Sequence, residues 1–520
     1  MGEHLRSLIL TVRRGPVIYP YLFAVFPVLF IWAHSIGELT PSLEPLEILV
    51  PLALSTVFTV VVLVSGSFIL KDTRKAGLLV LLFLVSFYLY GHVYNSLLNA
   101  GIGDSSEQWL FPLAWATGYL SVGILTLRIR ADLRRLTNSL NVTAGLLVII
   151  SLVNIGTYTL GSWTTFQANG DKEIGAFQVN VTDTSKLPDI YYIVPDAYAS
   201  SQILGDFGYD NSEFTDYLTR KGFFVADDSH SNYMYTDLSL ASSLNMRYLT
   251  DIEGGFPGDT EFSFLYYNLK NNGQVVSTLR SLGYTFINTR GKWLVREDDN
   301  RLSVNCAGGS STRLQSDEFT GALLRTTALY PVLRIFNVVE RQIWKQRLCE
   351  FSLIVDVKDI EGPKFVYSHL TLPHSPFVFD RNGERDPESL STINFQDRPE
   401  EYADQVAFVD KQLKEVVNGL LSGKRNSPII IIQADHGARV GGGNSEAELH
   451  RTRFGIINAY HLPDGGNDIL YESISPVNTF RVIFNRYFGA DYELLEDRSY
   501  LTDPPFASSM HVDVTDLINK

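Results

Sequence analysis

Cysteine is nearly absent from this chain of 520 residues, which contains only Cys306 and Cys349. Neither stands in a motif with basic neighbours, so a cysteine nucleophile is not expected. A disulfide between Cys306 and Cys349 would stabilise the fold by ~3–4 kcal/mol through loop entropy. Two buried thiols are the alternative.

Charged residues are also scarce, at 19%, although 57 Asp+Glu against 43 Lys+Arg give a formal net charge of −14. The hydrophobic content of 45% argues against disorder, and the acidic total argues against nucleic-acid binding by bulk electrostatics. Residues 1–162 hold 10 Lys+Arg and 8 Asp+Glu, whereas residues 163–520 hold the remaining 33 and 49. The chain therefore joins a slightly basic part to a strongly acidic one.

Long apolar runs fill the first 162 residues, and each approaches the ~20 residues that a helix needs to cross a bilayer core. There are five of them: Val17–Ala33, Leu49–Leu70, Ala76–Leu97, Trp109–Leu127 and Leu140–Leu160. The sequence therefore predicts a transmembrane domain of five helices over residues 1–162.

Basic residues are missing from two of the four loops between these runs. All ten lie before the first run, between the second and third, or between the fourth and fifth. By the positive-inside rule, the N-terminus is cytoplasmic and everything after Trp163 is extracytoplasmic. We therefore expect a multi-pass protein of the plasma (inner) membrane.

The acidic part begins with a polar linker, residues 163–187, and continues as residues 188–520 with strands alternating with helical patterns. The predicted strands are Ile190–Val194, Phe223–Val225, Tyr284–Ile287, Phe365–Tyr367 and Ile429–Ile432. The predicted helices are Ser212–Lys221, Ser239–Leu249 and Glu401–Leu421. Such alternation predicts an α/β domain whose mainly parallel sheet is covered by helices on both faces. Asp404 and Asp410 are expected on the polar face of the last helix, with no site implied.

Three strand ends carry polar groups that bind metals. Asp196 follows the first strand, His369 and His374 follow the fourth, and Asp435-His436-Gly437 follows the last. Carboxylate and imidazole ligands together suit one divalent metal, zinc or manganese. Each residue taken alone is also compatible with a turn or a helix cap.

Thr236 stands where an extended segment turns into a helix. There its hydroxyl would lie at a helix N-terminus, which favours an anion, and a nearby metal would activate it as a nucleophile. A plain helix cap without chemistry is the alternative interpretation.

Taken together, these residues resemble those of the alkaline phosphatase and sulfatase superfamily. Within it, five membrane helices before an exported domain look like the lipid A phosphoethanolamine transferases and the lipoteichoic acid synthases. The resemblance implies metal ligands at Asp196, Thr236, Asp435 and His436, with Thr236 as the nucleophile. It implies that His369, His374 and His450 contact the phosphoryl group or the leaving oxygen, with His450 as acid or base and His374 as the group that orients phosphate.

Two departures from the family patterns matter. The transferases usually have Glu where this chain has Asp196. Sulfatases carry a Cys or Ser that becomes formylglycine, followed by Pro and Arg, whereas here Thr236 is followed by Leu238 and Leu240 at those positions. Hydrolysis of sulfate esters by the usual route is therefore not expected.

The expected function is transfer of a phospho-alcohol group from a membrane phospholipid to a glycan or glycolipid acceptor of the cell envelope, through a phospho-threonine. An exported phosphodiesterase or phosphatase, in which water replaces the acceptor, is the alternative enzyme. The alternative from a different class of function is a non-catalytic scaffold of the cell envelope. No nucleic-acid partner is expected.

Overall fold

The computed structural model describes thirteen stretches of the chain. They are residues 16–38, 48–99, 110–170, 187–251, 273–289, 295–298, 301–303, 318–335, 338–384, 398–422, 427–440, 445–502 and 511–518. The chain divides into two compact units. The first comprises residues 1–164 and 311–339, and the second comprises residues 165–310 and 340–520. Cys306 lies outside the described residues, so its disulfide with Cys349 stays a prediction.

Apolar helices make up most of the first unit, as the sequence predicts. They are α1 (Tyr19–Glu38), α2 (Leu49–Leu70), α3 (Thr73–Asn99), α4 (Leu110–Arg128) and α5 (Arg134–Gly170). Within the described residues, four helices are long and apolar enough to cross a membrane, and the apolar part of α1, Tyr19–His34, is shorter. The prediction of five apolar helices is confirmed.

Some polar side chains of these helices form hydrogen bonds from one helix to another. The Ser55 hydroxyl donates to the carbonyl of Ala24 at 2.8 Å and accepts from the Tyr88 hydroxyl at 3.0 Å. The indole nitrogen of Trp115 donates to the carbonyl of Ser86 at 3.1 Å. Because an unpaired polar group is costly in hydrocarbon, such bonds between helices also fix how the helices pack.

A segment from far along the chain completes this helical unit. Helix α10 (Glu318–Thr326) buries Phe319 and Leu323, which are four residues apart and so share one face. The Phe319 ring meets the Trp32 ring edge-on, with 4.9 Å between centroids. Beyond α10, the amide of Ala328 donates to the carbonyl of Phe87 at 2.8 Å. On sequence alone, this segment falls in the α/β part, residues 188–520. Its apolar spacing predicts a helix face but does not reveal which core that face joins.

The second unit contains a sheet flanked by helices. Its strands are β1 (Ile190–Asp196), β2 (Phe224–Val225), β3 (Thr285–Asn288), β4 (Val295–Asp298), β5 (Arg301–Ser303), β6 (Lys364–Pro373), β7 (Ile429–Gln433) and β8 (Asn458–His461). In the described residues these eight strands have the order β2-β8-β7-β1-β6-β3-β5-β4. The central pairs β7–β1, β1–β6, β6–β3 and β3–β5 are parallel. The remaining pairs are antiparallel.

Alternate residues of the central strands pack into two different cores. Tyr191 and Ile193 of β1 lie in one core, and Ile190, Tyr192 and Val194 lie in the other. Both faces of the strand are therefore apolar, which is why these strands read as continuous hydrophobic runs. The expected α/β domain with helices on both faces of a mainly parallel sheet is confirmed.

Helices cover each face of the sheet. The first core is covered by α7 (Ser212–Arg220), α12 (Val338–Asp356) and α13 (Pro399–Leu421). The second core is covered by α8 (Thr236–Ser243), α9 (Gln274–Ser281) and α15 (Pro476–Phe488). The other short helices are α6 (Ser201–Asp206), α11 (Tyr330–Ile335), α14 (Glu446–Phe454) and α16 (Thr515–Ile518), and a hairpin pairs β9 (Tyr500–Thr502) with β10 (His511–Asp513).

The boundaries of one predicted helix were wrong. The sequence predicts a helix over Ser239–Leu249, whereas α8 begins at Thr236 and ends at Ser243. Met246 has a φ of 54°, in the left-handed region, and a residue in that conformation cannot continue a right-handed helix.

Asp410 of α13 does not lie on a solvated face, contrary to the expectation for this helix. Its side chain is buried, and its two carboxylate oxygens accept hydrogen bonds from the hydroxyls of Tyr198 at 2.5 Å and Tyr209 at 2.7 Å. Burial raises the pKa of Asp410 to about 7, against the opposing effect of the two hydroxyl donors. Asp404 of the same helix is nearer to the surface, where it pairs with Arg381 at 2.5 Å.

We predict that Asp410 makes the folded state less stable as the pH rises. Its carboxyl group ionises near pH 3.9 in the unfolded chain but near pH 7 in the folded one. Between these values the folded state binds more protons, so stability falls with rising pH and levels off above about pH 7. In Asp410→Asn, this part of the pH dependence of the unfolding midpoint should disappear. Asp404→Asn is the matched control and should retain it; equal pH profiles for wild type and Asp410→Asn would contradict the prediction.

Candidate metal centre

Three neighbouring parallel strands, β7, β1 and β6, end at the same edge of the sheet. Asp196 is the last residue of β1, His369 lies within β6 opposite Val194 of β1, and Asp435 and His436 follow β7 by two and three residues. Because the chain must leave each buried strand here, polar side chains can gather at this edge without interrupting the core.

These four residues form one group, which we call the ligand cluster. The ligand atoms of Asp196, His369 and Asp435 all lie within 4.8 Å of one another. The His369 Nε2 atom is 3.6 Å from Asp196 Oδ2 and 3.7 Å from Asp435 Oδ2. The His436 Nε2 atom is 3.6 Å from Asp196 Oδ1 and 3.7 Å from Asp435 Oδ2. Each histidine therefore faces both carboxylates.

The backbone orients Asp435 for ligation. Its Oδ1 atom accepts hydrogen bonds from the amides of Ala197 at 3.0 Å and His436 at 2.9 Å, while its Oδ2 atom faces the two histidines. Burial opposes ionisation of Asp435, but attraction to His436 and His369 holds its pKa below the usual range. Asp435 is therefore a carboxylate.

His436 is oriented as a neutral ligand. Its Nδ1 atom is 2.8 Å from the carbonyl of Gly437, so the proton there donates to that oxygen and Nε2 is left with its lone pair. Burial lowers the pKa of His436, and the charge of Arg439 acts in the same direction, against the attraction of Asp435. A neutral imidazole is the form that binds metals.

The unsatisfied atoms of the cluster fit a metal ion. Asp196 Oδ1, Asp435 Oδ2 and His436 Nε2 are buried and have no hydrogen-bond partner among the described residues. Ligand atoms about 2.0–2.1 Å from a tetrahedral zinc lie roughly 3.3–3.4 Å apart. The separations of 3.6 and 3.7 Å within the cluster are close to that value. Two carboxylates and two imidazoles suit zinc or manganese.

His369 occupies a different place from the one that the resemblance implied. The sequence analysis grouped it with the residues that contact phosphate, whereas the structure places its Nε2 atom between the two carboxylates. Its candidate role is therefore that of a ligand. Strand β6 continues to Pro373, beyond its predicted end at Tyr367, and it pairs His369 with Val194 of β1, close to Asp196.

Thr236 is the first residue of α8 and lies beside the ligand cluster. Its side chain lies close enough to Asp435, one of the candidate ligands, to help lower the pKa of that carboxyl. The capping residue of the helix is Tyr235, which is extended, so the hydroxyl of Thr236 is not used as the cap. The structure thus brings Thr236 together with the predicted ligands.

A cavity of about 600 Å³ adjoins the cluster and contains the other predicted histidines. Its lining consists of Ala197, Met234, Tyr235, His374, Ser375, Phe377, Tyr402, Arg439, Val440, Leu449, His450, Arg453 and Leu501. The His374 ring lies 6.4 Å from the His436 ring between centroids. The Nδ1 atom of His450 is buried without a hydrogen-bond partner among the described residues, so it is available to a ligand in the cavity.

Several residues that hold the site in place were missed by the sequence analysis. The Tyr402 hydroxyl donates to the carbonyl of Ala197 at 2.7 Å and accepts from the amide of Ala199 at 2.9 Å. Ala197 has a φ of 63°, which is costly for a residue other than glycine, and Tyr402 helps to fix it. Arg347 donates to the carbonyl of Pro376 at 2.7 Å, in the loop that carries His374. No local pattern marks Tyr402 or Arg347, because their partners lie far away in sequence.

The fold and the cluster define an α/β domain with a candidate metal centre at the carboxyl edge of a mainly parallel sheet. The model of the sulfatase family matches residues 190–480, which is more than half of the chain. This protein therefore belongs to the sulfatase family. No curated protein matches its sequence.

Several solved structures are similar to this chain. The periplasmic domain of EptC from Escherichia coli, in complex with Zn, is 9% identical over 65% of this chain and 96% of that chain, with a TM-score of 0.39. The lipooligosaccharide phosphoethanolamine transferase EptA from Neisseria meningitidis is 11% identical over 91% of this chain and 96% of that chain, with a TM-score of 0.34. A phosphonate monoester hydrolase of Agrobacterium radiobacter is 13% identical over 61% of this chain and 80% of that chain, with a TM-score of 0.38.

We predict that Asp435→Asn weakens metal binding without unfolding the protein. Asn keeps an oxygen that can accept from Ala197 and His436 but removes the negative charge that faces the histidines. Purified wild type should hold one equivalent of zinc or manganese, and the affinity of the variant should be lower by at least about tenfold. Metal content by mass spectrometry and binding by calorimetry would measure this. Asp404→Asn is the control, and unchanged metal content in Asp435→Asn would rule out the cluster as the metal site.

Proposed function

We propose that this protein is a membrane-bound phosphotransferase that moves a phospho-alcohol group from a membrane phospholipid to a glycan or glycolipid of the cell envelope. The observation that carries the proposal is the position of Thr236, which begins a helix and lies beside Asp435, a candidate metal ligand whose pKa it helps to lower. An alcohol at a helix N-terminus beside a metal centre suits attack on phosphorus, since partial positive charge stabilises the anion that forms.

The ligand cluster is the proposed holder of one divalent metal. Bound there, a divalent metal supplies Lewis acidity and lowers the pKa of a nearby hydroxyl. Asp196, Asp435, His369 and His436 form the four-residue set, and the Thr236 hydroxyl lies next to it.

In the first proposed step, the Thr236 hydroxyl releases its proton to solvent and its Oγ1 atom attacks the phosphorus of the phospholipid. A bond forms between Oγ1 and phosphorus, and the bond between phosphorus and the diacylglycerol oxygen breaks. His450 gives a proton to that oxygen as it leaves, and His374 holds an oxygen of the phosphoryl group. Both histidines line the cavity, as these roles require.

In the second step, the acceptor hydroxyl attacks the phospho-threonine. His450 takes the proton of the acceptor, a bond forms between the acceptor oxygen and phosphorus, the bond to Thr236 breaks, and Oγ1 takes up a proton from solvent. This step is the chemical reverse of the first, with the acceptor in place of diacylglycerol. One histidine can therefore act as the acid in the first step and as the base in the second. Water in place of the acceptor would make the protein a phosphodiesterase.

We propose that the helices of the first unit are embedded in the plasma (inner) membrane, with the N-terminus in the cytoplasm and the α/β domain outside it. Support comes from four helices long enough to span a bilayer and from the uneven distribution of Lys and Arg between the loops. The phospholipid donor would then be taken from the outer leaflet.

We predict that Thr236→Ala abolishes turnover while the protein still binds metal. Full-length protein would be added to vesicles of phosphatidylcholine that contain phosphatidylglycerol, and the release of diacylglycerol would be measured. Loss of the nucleophile should reduce the rate by at least about a thousandfold, and Thr236→Ser should restore part of it. The four-residue cluster remains in the variant, so equal metal content would show that the fold is intact.

The same assay separates the alternatives. Release of diacylglycerol only in the presence of a glycan acceptor supports transfer, whereas release in its absence indicates hydrolysis. Full turnover by Thr236→Ala would overturn the phospho-threonine mechanism, and metal-bound wild type without turnover on any phosphodiester would favour a scaffold.

The proposed membrane orientation can be tested by fusing the chain to a reporter enzyme that folds, and is active, only outside the cytoplasm. A fusion after Lys520 should be active, and a fusion after Lys71, between α2 and α3, should be inactive. The opposite result would reverse the proposed topology.

A further inference from the structure

Two arginines of the cavity wall have no partner for part of their guanidinium groups. Arg439 follows His436 by three residues, and Arg453 lies in α14. Both side chains are half-buried and line the cavity. The Nε atom of each is buried and makes no hydrogen bond within the part of the chain that the structure describes.

The two guanidinium groups lie close enough to repel each other. Burial lowers the pKa of Arg453, and the charge of Arg439 lowers it further. The Arg439 guanidinium also stacks near the Tyr235 ring, 5.3 Å from its centroid, which keeps it on the cavity wall. Buried like charges of this kind are costly unless an anion compensates them.

Two other arginines of this unit are compensated by carboxylates. Arg451 precedes Arg453 by two residues in the same helix and pairs with Asp206 at 2.8 Å. Arg381 pairs with Asp404. Arg439 and Arg453 differ from these two in that they face the cavity, where a ligand can supply the compensation.

No carboxylate lies among the residues that line the described cavity. The charged groups of its wall are Arg439 and Arg453, with two histidines beside them. The carboxylates of the ligand cluster would be neutralised by their metal. A phosphodiester anion suits this environment, and guanidinium N–H groups can also donate to the hydroxyls of a polyol. An ammonium group here would face two like charges without a counter-ion.

We propose that Arg439 and Arg453 select the phospholipid donor by the charge of its headgroup. They accept a phosphoglycerol-type headgroup, which is a neutral polyol, and disfavour an ammonium headgroup such as ethanolamine. This inference rests on the proposed function, because it assumes that the cavity receives the headgroup of the donor. It adds two specificity-determining residues that contact the substrate without taking part in proton transfer.

Binding to the inactive protein tests the selection apart from catalysis. Full-length, metal-loaded Thr236→Ala protein would be titrated with glycerol 1-phosphate and with O-phosphoethanolamine, two soluble headgroup probes of similar size. We expect glycerol 1-phosphate to bind at least about tenfold more tightly. In the further variant Arg439→Gln with Arg453→Gln, this ratio should approach one. Arg451→Gln is the matched control and should leave the ratio unchanged.

A charge-conserving variant distinguishes the effect of lost charge from the effect of misfolding. Arg439→Lys with Arg453→Lys keeps both positive charges, so it should retain most of the preference, and unfolding midpoints would show that each variant is folded. Tighter binding of O-phosphoethanolamine by the wild-type cavity, or an unchanged ratio in the double Gln variant, would overturn the proposal.

Turnover separates the failure of this proposal from failure of the proposed function. In vesicles of phosphatidylcholine with equal amounts of phosphatidylglycerol or phosphatidylethanolamine, the wild type should release diacylglycerol faster from the former. The double Gln variant should show a raised KM for phosphatidylglycerol. Equal turnover of both lipids would overturn the charge selection while the phosphotransferase assignment stands. A charge-dependent binding ratio without any turnover would support the selection and count against phosphoryl transfer.

Discussion

Asp196 and the buried Asp435 face the same two histidines, and the rest of the site is arranged around these four side chains. Like charges close together repel strongly where water is excluded, so two carboxylates here require compensation. The amides of Ala197 and His436 provide part of it, and the imidazoles of His369 and His436 complete a set of ligand atoms for a cation. A metal bound there would stabilise the strand ends, and its binding would be coupled to folding of this edge.

The backbone around Asp196 shows how the sheet accommodates the cluster. The register between β1 and β6 shifts between Pro195 and Asp196, which turns the carboxylate away from the regular pleat. Ala197 then adopts a φ of 63°, and the Tyr402 hydroxyl binds the backbone on both sides of the turn. Hydrogen bonds from Tyr402, which belongs to a helix of the first core, compensate the strain at this position.

Sequence patterns reveal those parts of the fold that depend on local periodicity. Strands β1, β6 and β7 are buried on both faces and therefore appear as apolar runs, and the polar residues after them mark the site. Interactions between residues far apart in sequence leave no such mark. Asp410 looks like a surface residue of an amphipathic helix, yet its partners Tyr198 and Tyr209 lie about two hundred positions earlier in the chain. Phe319 and Leu323 predict an apolar helix face but not the core that receives it.

The net charge of residues 163–520 acts over a longer distance than the charges of the cavity. These residues include 49 acidic and 33 basic ones, so at long range this part repels an anionic membrane surface. At physiological ionic strength such repulsion is screened beyond about 8 Å. Within that distance a phosphodiester in the cavity would meet Arg439, Arg453 and two histidines, where a lower dielectric strengthens each interaction. Anion binding by this acidic domain would therefore depend on a few positively charged groups of the cavity wall, and their loss would leave no long-range attraction to replace them.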